Sequence, residues 1–379
     1  MKYVMLRDLC SINMGQSPDS NSYNEEGRGI PFFQGNADFG ERYPVVRQWC
    51  DSPVKVAAAK DILISVRAPI GAMNYAKEKC CIGRGLAAIT PDLSKVSENY
   101  IFWLLKSKHD ELNRKGTGST FKAIGRKALE EIQVPYIPLD EQNKCGILLE
   151  KVYGVIQRYQ QEIQAFDTLI KARFVEMFGD IGSGVYRHDC RRLGDVAYVG
   201  SSHRVFTTEF VDEGIPFYRG TEIGELASGK QPENPFHITE EHYQRLSSDE
   251  TKPKIGDLLM PSICNKGQVW MVDTEKAFYY KDGRVLCISP DRTVFNTKYL
   301  QYFMRGKTEL EYPKLGSGST FAEFKIFQLK DMEVLTPPIE EQNAFAAFVT
   351  EVDKSKAIVQ KALEEAQLLF DSLMQEYFG

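Results

Sequence analysis

Histidine is scarce in this chain, and its five copies (His109, His188, His203, His237 and His242) suggest no metal-ligating set. His237 and His242 are close in sequence, but no cysteine pair lies near them. The eight cysteines (positions 10, 50, 80, 81, 145, 190, 264 and 287) contain no Cys-x-x-Cys, which argues against a zinc module. Cys80 and Cys81 are adjacent and poorly placed to bridge each other, so free thiols in a reducing compartment are expected. No apolar run approaches the ~20 residues that span a bilayer. The first residues, Met1-Lys-Tyr-Val-Met-Leu-Arg-Asp8, are too polar for a secretory leader. A soluble, cytoplasmic protein without membrane contact is the expectation.

Catalytic strings are missing as well. There is no Gly-x4-Gly-Lys-Ser/Thr for ATP, no Phe-x-Gly-x-Gly for S-adenosylmethionine, and no Asp/Asn/Ser-Pro-Pro-Tyr/Phe to hold a flipped adenine. The nearest string, Thr336-Pro337-Pro338-Ile339, lacks the aromatic that would stack on the base. A nuclease-like grouping exists on paper, Pro290-Asp291 followed by Glu323-Phe-Lys325. The Pro-Asp pair recurs at Pro91-Asp92, also after a strand-like run, which is turn chemistry. Glu-x-Lys has no counterpart at 123–125, which reads Ala-Ile-Gly. No catalytic residue and no bound metal are expected.

What the chain does contain is one segment twice. Residues 116–179 and 316–379 align without a gap, and 17 of the 64 pairs are identical, against roughly four by chance. Both begin with a glycine-rich turn ending Gly-Ser-Thr-Phe (Gly118–Phe121 and Gly318–Phe321). Both pass through Pro-x-x-Glu-Gln-Asn (from Pro138 and Pro338) and end in Phe-Gly. Upstream the match continues with gaps. Gly29-Ile30-Pro31-Phe32 answers Gly214-Ile215-Pro216-Phe217, Asp61-Ile62-Leu63 answers Asp257-Leu258-Leu259, and Gly83-Arg84 answers Gly283-Arg284. The chain is two related halves. Residues 36–60 and 221–256 do not align, which suggests similar scaffolds with different loops.

Each half reads as α+β. Short β-rich runs (30–34, 61–67 and 79–90; 215–219, 257–264, 268–273 and 278–289) precede an amphipathic helix, Glu98–Lys106 or Thr297–Arg305. A short helix and one more strand follow, and Pro138 or Pro338 then opens a long helix. Apolar residues recur at heptad spacing along both long helices. The expected seam is Leu148, Val152, Tyr159, Ile163, Phe166 and Ile170 in the first, and Phe348, Val352, Val359, Leu363, Phe370 and Leu373 in the second. Connectivity requires the two helices to run antiparallel, giving a pseudo-twofold repeat within one chain. Net charge is −5, but residues 140–180 and 340–379 together carry −7, which leaves +2 elsewhere. The acidity belongs to the long helices.

These features resemble the specificity (S) subunit of type I DNA restriction-modification systems. The resemblance rests on the duplicated Gly-Ser-Thr-Phe, short helix and Pro-x-x-Glu-Gln arrangement. Asp61–Ser65, Arg67–Gly71 and Gly83–Leu86 are also similar to that family's target-recognition domains. It implies target-recognition domains at 1–139 and 181–338, separated by conserved spacer helices at 140–180 and 339–379. It further implies a non-catalytic subunit that recognises a bipartite double-stranded DNA target, one half-site per domain. Two methyltransferase subunits would dock on the helices and restriction subunits would join them. No cofactor belongs to the chain itself; S-adenosylmethionine and ATP with Mg are implied on the partners.

Base edges are read best by Arg on guanine and by Asn or Gln on adenine. The expected DNA-binding residues are therefore Gln34, Asn36, Arg67, Arg84 and Lys122 in the first half. In the second they are Arg219, Thr221, Asn265, Lys266 and Arg284. Ser119, Thr120, Ser319 and Thr320 occur in both copies and suit phosphate contact at most. Gly35, Gly83, Gly220 and Gly283 read as turn formers. Two other functions are compatible with the pattern: a coiled-coil scaffold for proteins, favoured by the acidity, and part of a fused restriction-methylation enzyme.

Overall fold

The architecture is that of a computed structural model, which describes residues 2–117, 122–249, 251–315 and 322–379. Ser119, Thr120, Ser319 and Thr320 lie outside the described residues. The chain forms two compact units, Met1–Glu162 with Val359–Gly379, and Ile163–Ile358.

In the first unit, an antiparallel sheet is ordered Cys10–Met14, Leu86–Pro91, Ile62–Ser65, Met73–Tyr75. Its central strands are buried on both faces, and their side chains alternate between two cores. Ile62, Ile64, Ala87 and Ile89 face the helix Glu98–Ser107, whereas Leu63, Leu86 and Ala88 meet Phe33, Cys80 and Ile82 of a second sheet. That second sheet runs Tyr23–Asn24, Gln48–Cys50, Ile30–Phe33, Cys80–Ile82, Val56–Ala57. Only Ile30–Phe33 and Cys80–Ile82 pair in parallel.

The second unit repeats this plan. Its antiparallel sheet is ordered Ala197–Gly200, Val285–Pro290, Leu258–Pro261, Trp270–Met271. Ile215–Tyr218 and Tyr279–Tyr280 form the matching parallel pair. The halves differ where their sequences do. Residues 36–60 supply the strands Gln48–Cys50 and Val56–Ala57. The counterpart region supplies the helices Gly220–Ala227 and Glu240–Leu246 and the strand Phe236–Ile238. Helix Thr297–Glu311 also outruns its expected end at Arg305. The equivalent path in the first unit breaks at Lys108, between Glu98–Ser107 and His109–Lys115.

The long helices span Leu139–Phe178 and Ile339–Phe378, 40 residues each, or about 60 Å at 1.5 Å per residue. Asp140 and Glu141, like Glu340 and Glu341, place carboxylates in the first turn, where the helix dipole favours them. The following residue, Gln142 or Gln342, is buried. Gly179, at φ +95°, ends the first helix in the left-handed conformation that glycine adopts without strain. Among the described residues no helix is long and apolar enough to cross a membrane.

The helices pack antiparallel within each unit. In the first, the Phe370 ring lies 5.9 Å from that of Tyr153, and both meet Trp103 of the domain. In the second, Phe345 packs edge-on against Phe174 at 5.5 Å, and Lys356 Nζ bonds Asp167 Oδ1 at 2.5 Å. Val152, Ile170, Val352 and Phe370 of the expected seam are buried; Tyr159, Ile163, Phe166, Phe348, Val359, Leu363 and Leu373 are half-buried. Leu148 departs from it. It is 39% exposed, and Leu149 is fully buried in its place. Here the helix faces its own domain as well as its partner helix: Cys145, Leu149, Val152 and Ile156 all enter the core built on Glu98–Ser107. The buried face is therefore wider than a two-helix seam and is turned by one residue.

Candidate nucleic-acid interface

At the end of strand Ile30–Phe33, four backbone segments lie side by side. Gly85 N–H donates to Gln34 O (3.2 Å), Val66 N–H to Gly85 O (2.9 Å), and Ile124 N–H to Val66 O (2.9 Å). Ala68 N–H returns to Lys122 O at 3.0 Å. This ledge brings Gln34, Arg67, Arg84 and Lys122 together, all with exposed side chains. Ser17 ties two of them: its hydroxyl accepts from Gln34 Nε2 (3.0 Å) and from Arg84 N–H (3.4 Å). Asn36 is half-buried at the start of the turn Asn36–Asp38, whose Asp38 carboxylate accepts Gln34 N–H at 2.8 Å. Gly85 is required by a close approach, since a Cβ there would sit 2.5 Å from the Gln34 carbonyl oxygen.

The second unit builds the same ledge. Lys281 N–H donates to Tyr218 O (2.9 Å), Ser262 N–H to Arg284 O (2.8 Å), and Phe324 N–H to Ser262 O (2.7 Å). Ser201 takes the role of Ser17, accepting Gly283 N–H at 2.8 Å. Gly283 has φ +64°, a true turn position. Arg219 stands at the place equivalent to Gln34, whereas Arg284 stands at that of Gly85, one residue beyond the place of Arg84, and Thr221 is exposed in the first turn of helix Gly220–Ala227. Asn265 and Lys266 are not brought to the ledge. They sit on the turn 262–268, where Asn265 Oδ1 accepts from Gln268 Nε2 (3.3 Å) and Gly267 packs against the Arg305 carbonyl. Lys266 lines a separate concavity of about 890 Å³ with Lys171, Phe174, Tyr302 and Arg305.

The two ledges differ in electrostatics. Among the described residues, Arg67, Arg84 and Lys122 have no carboxylate partner within ion-pair distance. Every cation of the second ledge has one. Arg284 Nη1 lies 2.6 Å from Glu323 Oε2, Lys325 bonds the same carboxylate, and Lys281 Nζ lies 2.9 Å from Asp282 Oδ1. Arg219 Nε donates to Glu222 Oε1 at 3.2 Å while its guanidinium lies 4.5 Å from the centre of the Phe236 ring. The Lys325 hydrogen bond, aided by Arg284, holds the Glu323 carboxyl below its usual pKa. Burial works against charging Glu222, but the Arg219 side chain and the backbone N–H groups of Arg219 and Glu222 together outweigh this and lower its pKa.

Sequence reasoning missed Glu222 and read Glu323 only as half of a nuclease-like pair. The available signal was that Glu323 follows the repeated turn at the position of Ala123. The Pro-Asp elements behave as turns. Asp92 Oδ1 accepts from Ser94 N–H and Oγ, Asp291 Oδ1 from Thr293 N–H and Oγ1. Among the described residues no three His, Cys, Asp or Glu gather as a metal site.

The model of the type I restriction modification DNA specificity domain matches residues 1–165 and again 189–368. The putative type I restriction enzyme MjaX specificity subunit of Methanocaldococcus jannaschii is 45% identical over 151 residues, 40% of this chain and 36% of that protein. The MjaIX specificity subunit of the same organism is 25% identical over 242 residues, 56% of each. The chain thus spans about a third to a half of the length of these curated relatives. The crystal structure of a type I restriction-modification S subunit from M. genitalium superposes with a TM-score of 0.62 at 14% identity, covering 100% of this chain and 96% of that one. A second solved chain, from work on complex assembly and conformational transition of the type I R-M system, gives 0.56 at 17% identity, covering 100% and 97%. At these identities the likeness shows the fold. With both halves matched, the chain belongs to the type I restriction modification DNA specificity domain family and carries that domain twice.

Proposed function

We propose that this protein is the DNA-reading subunit of a type I restriction-modification system and is not itself an enzyme. Each domain, 1–139 and 181–338, reads one half-site of a split double-stranded target. The helices 140–180 and 339–379 hold the half-sites apart and carry two adenine methyltransferase subunits, with restriction subunits joining them. S-adenosylmethionine and ATP with Mg belong to those partners, and the complex works in the cytoplasm.

The observation that carries this reading is the ledge built twice from the same four segments but bearing different exposed side chains. A common backbone with Gln34, Arg67, Arg84 and Lys122 on one copy and Arg219 and Arg284 on the other suits two related readers with different targets. Docking on the helices is supported by large apolar side chains left exposed there: Leu368 (71%) and Leu369 (52%) in the first unit, Leu169 (48%) and Ile358 (72%) in the second.

The test is to purify the chain with its methyltransferase, sequence the methylated adenines it directs, and measure DNA binding against salt. A split target and a steep salt dependence are expected. Absence of salt-dependent DNA binding would overturn the reading and favour a protein scaffold.

A further inference from the structure

The contrast between the ledges distinguishes how their arginines act. A surface cation such as Arg84, with no carboxylate beside it, sweeps many rotamers and can meet phosphate as well as base edges. Arg284 is constrained instead. Its Nη1 is anchored on Glu323 Oε2 at 2.6 Å, and Glu323 is itself held by Lys325 and, at 3.5 Å, by the Ser262 hydroxyl. The anchor carboxylate is only 20% exposed, while the arginine side chain remains 61% exposed. Its remaining N–H groups are therefore free for a ligand. A carboxylate beside a guanidinium has two consequences. It fixes the plane of the fork, which is what bidentate recognition needs, and it repels phosphate. The partner that matches a fixed fork on DNA is the O6/N7 edge of guanine.

We propose that Arg284 reads a guanine in the second half-site and that Glu323 is its positioning residue, an inference that rests on the DNA-reading function above. Glu323 occupies the position of Ala123 in the first unit, so this device belongs to one reader only. Arg219, held by Glu222 and stacked on Phe236, is built on the same principle at the neighbouring segment.

The experiment uses the full chain with its methyltransferase and duplexes carrying its own target, in which each guanine of the second half-site is replaced in turn by 7-deazaguanine. That base lacks the N7 acceptor and keeps its pairing. One position is expected to weaken binding roughly tenfold with the wild-type chain. At that position Arg284→Ala should show no further loss. Glu323→Gln keeps an acceptor for the guanidinium without the negative charge. It should retain the 7-deazaguanine effect while steepening the salt dependence. Glu323→Ala should lose most of the effect. If Glu323→Ala does not fold, Glu323→Leu replaces it, because it keeps most of the volume and offers the guanidinium no acceptor, and it should lose the effect too.

A second half-site without guanine, no sensitive position, or a sensitive position at which Arg284→Ala still responds would each overturn the assignment to Arg284. An undiminished effect in Glu323→Ala would overturn the positioning role. Failure of the wild-type complex to bind DNA in a salt-dependent way would instead strike the functional reading itself.

Discussion

Gln142 reaches back from the first turn of its long helix and accepts the backbone N–H of Ser97 on Oε1 at 2.9 Å. Its Nε2 donates to the carbonyls of Ile137 (2.8 Å) and Lys95 (3.4 Å). Gln342 repeats the arrangement with Asn296 N–H (3.0 Å), Val294 O (2.9 Å) and Pro337 O (2.7 Å). Both side chains are buried, at 1% and 0% exposure. One amide thus joins three segments in each half: the end of the domain, the start of the packing helix, and the start of the long helix. The glutamine of the duplicated Glu-Gln pair is explained by it.

Replacing Gln142 by Ala takes the partner from a part-buried N–H and from at least one part-buried carbonyl, at about 1–2 kcal/mol for each such group. Urea unfolding should show a loss of about 2–4 kcal/mol, with Gln342→Ala alike. Gln142→Glu keeps the acceptor but faces two carbonyls with a carboxylate, so its deficit should shrink at acidic pH as that group protonates.

The Asp92 carboxyl is held at about 2, chiefly by the Ser94 hydroxyl, with Lys95 and the Ser94 N–H adding to it. A folded pKa below the ordinary 3.8 means that this contribution is present above that value. It is lost as pH falls through about 2. Thermal melts between pH 5 and 2 should therefore fall less steeply in Asp92→Asn than in the wild type.

Phe370 is buried against Trp103 and Tyr153. Phe370→Ala should cost about 3–5 kcal/mol in chemical denaturation. Leu368→Lys with Leu369→Lys, at exposed positions, should leave the melt within about 0.5 kcal/mol of wild type and weaken capture of the methyltransferase. Unchanged capture would remove this face from the docking surface.

One heptad inserted into each long helix adds about 10.5 Å along the helix. Sequencing of methylated adenines should then report unchanged half-sites with a gap wider by about three base pairs. If the bases read change instead, the helices do not set the spacing.

Arg84→Ala should lower discrimination at the first half-site only, and Arg284→Ala at the second only. The measurement is binding to duplexes altered in one half-site at a time. Equal loss at both would contradict independent readers.

Much of this molecule was legible in its sequence because the relevant interactions are local or repeat. Heptad spacing and the prolines at 138 and 338 located the long helices to within a residue or two, since helix periodicity and proline sterics act over a few residues. The gapless match of 116–179 with 316–379 showed that the two halves share the end of the domain and the long helix that follows it. Tertiary structure alone decided which exposed polar residues share a ledge. Gln34, Arg67, Arg84 and Lys122 are far apart in the chain and meet only through backbone hydrogen bonds between segments. It also moved burial from Leu148 to Leu149, because a domain presses on that helix from a direction no heptad count contains. And it paired Arg284 with Glu323, 39 residues away, turning what reads in sequence as a stray Glu-x-Lys into a carboxylate that holds an arginine in place. Periodicity encodes which face of an element is apolar. Only packing encodes which distant side chain stands opposite.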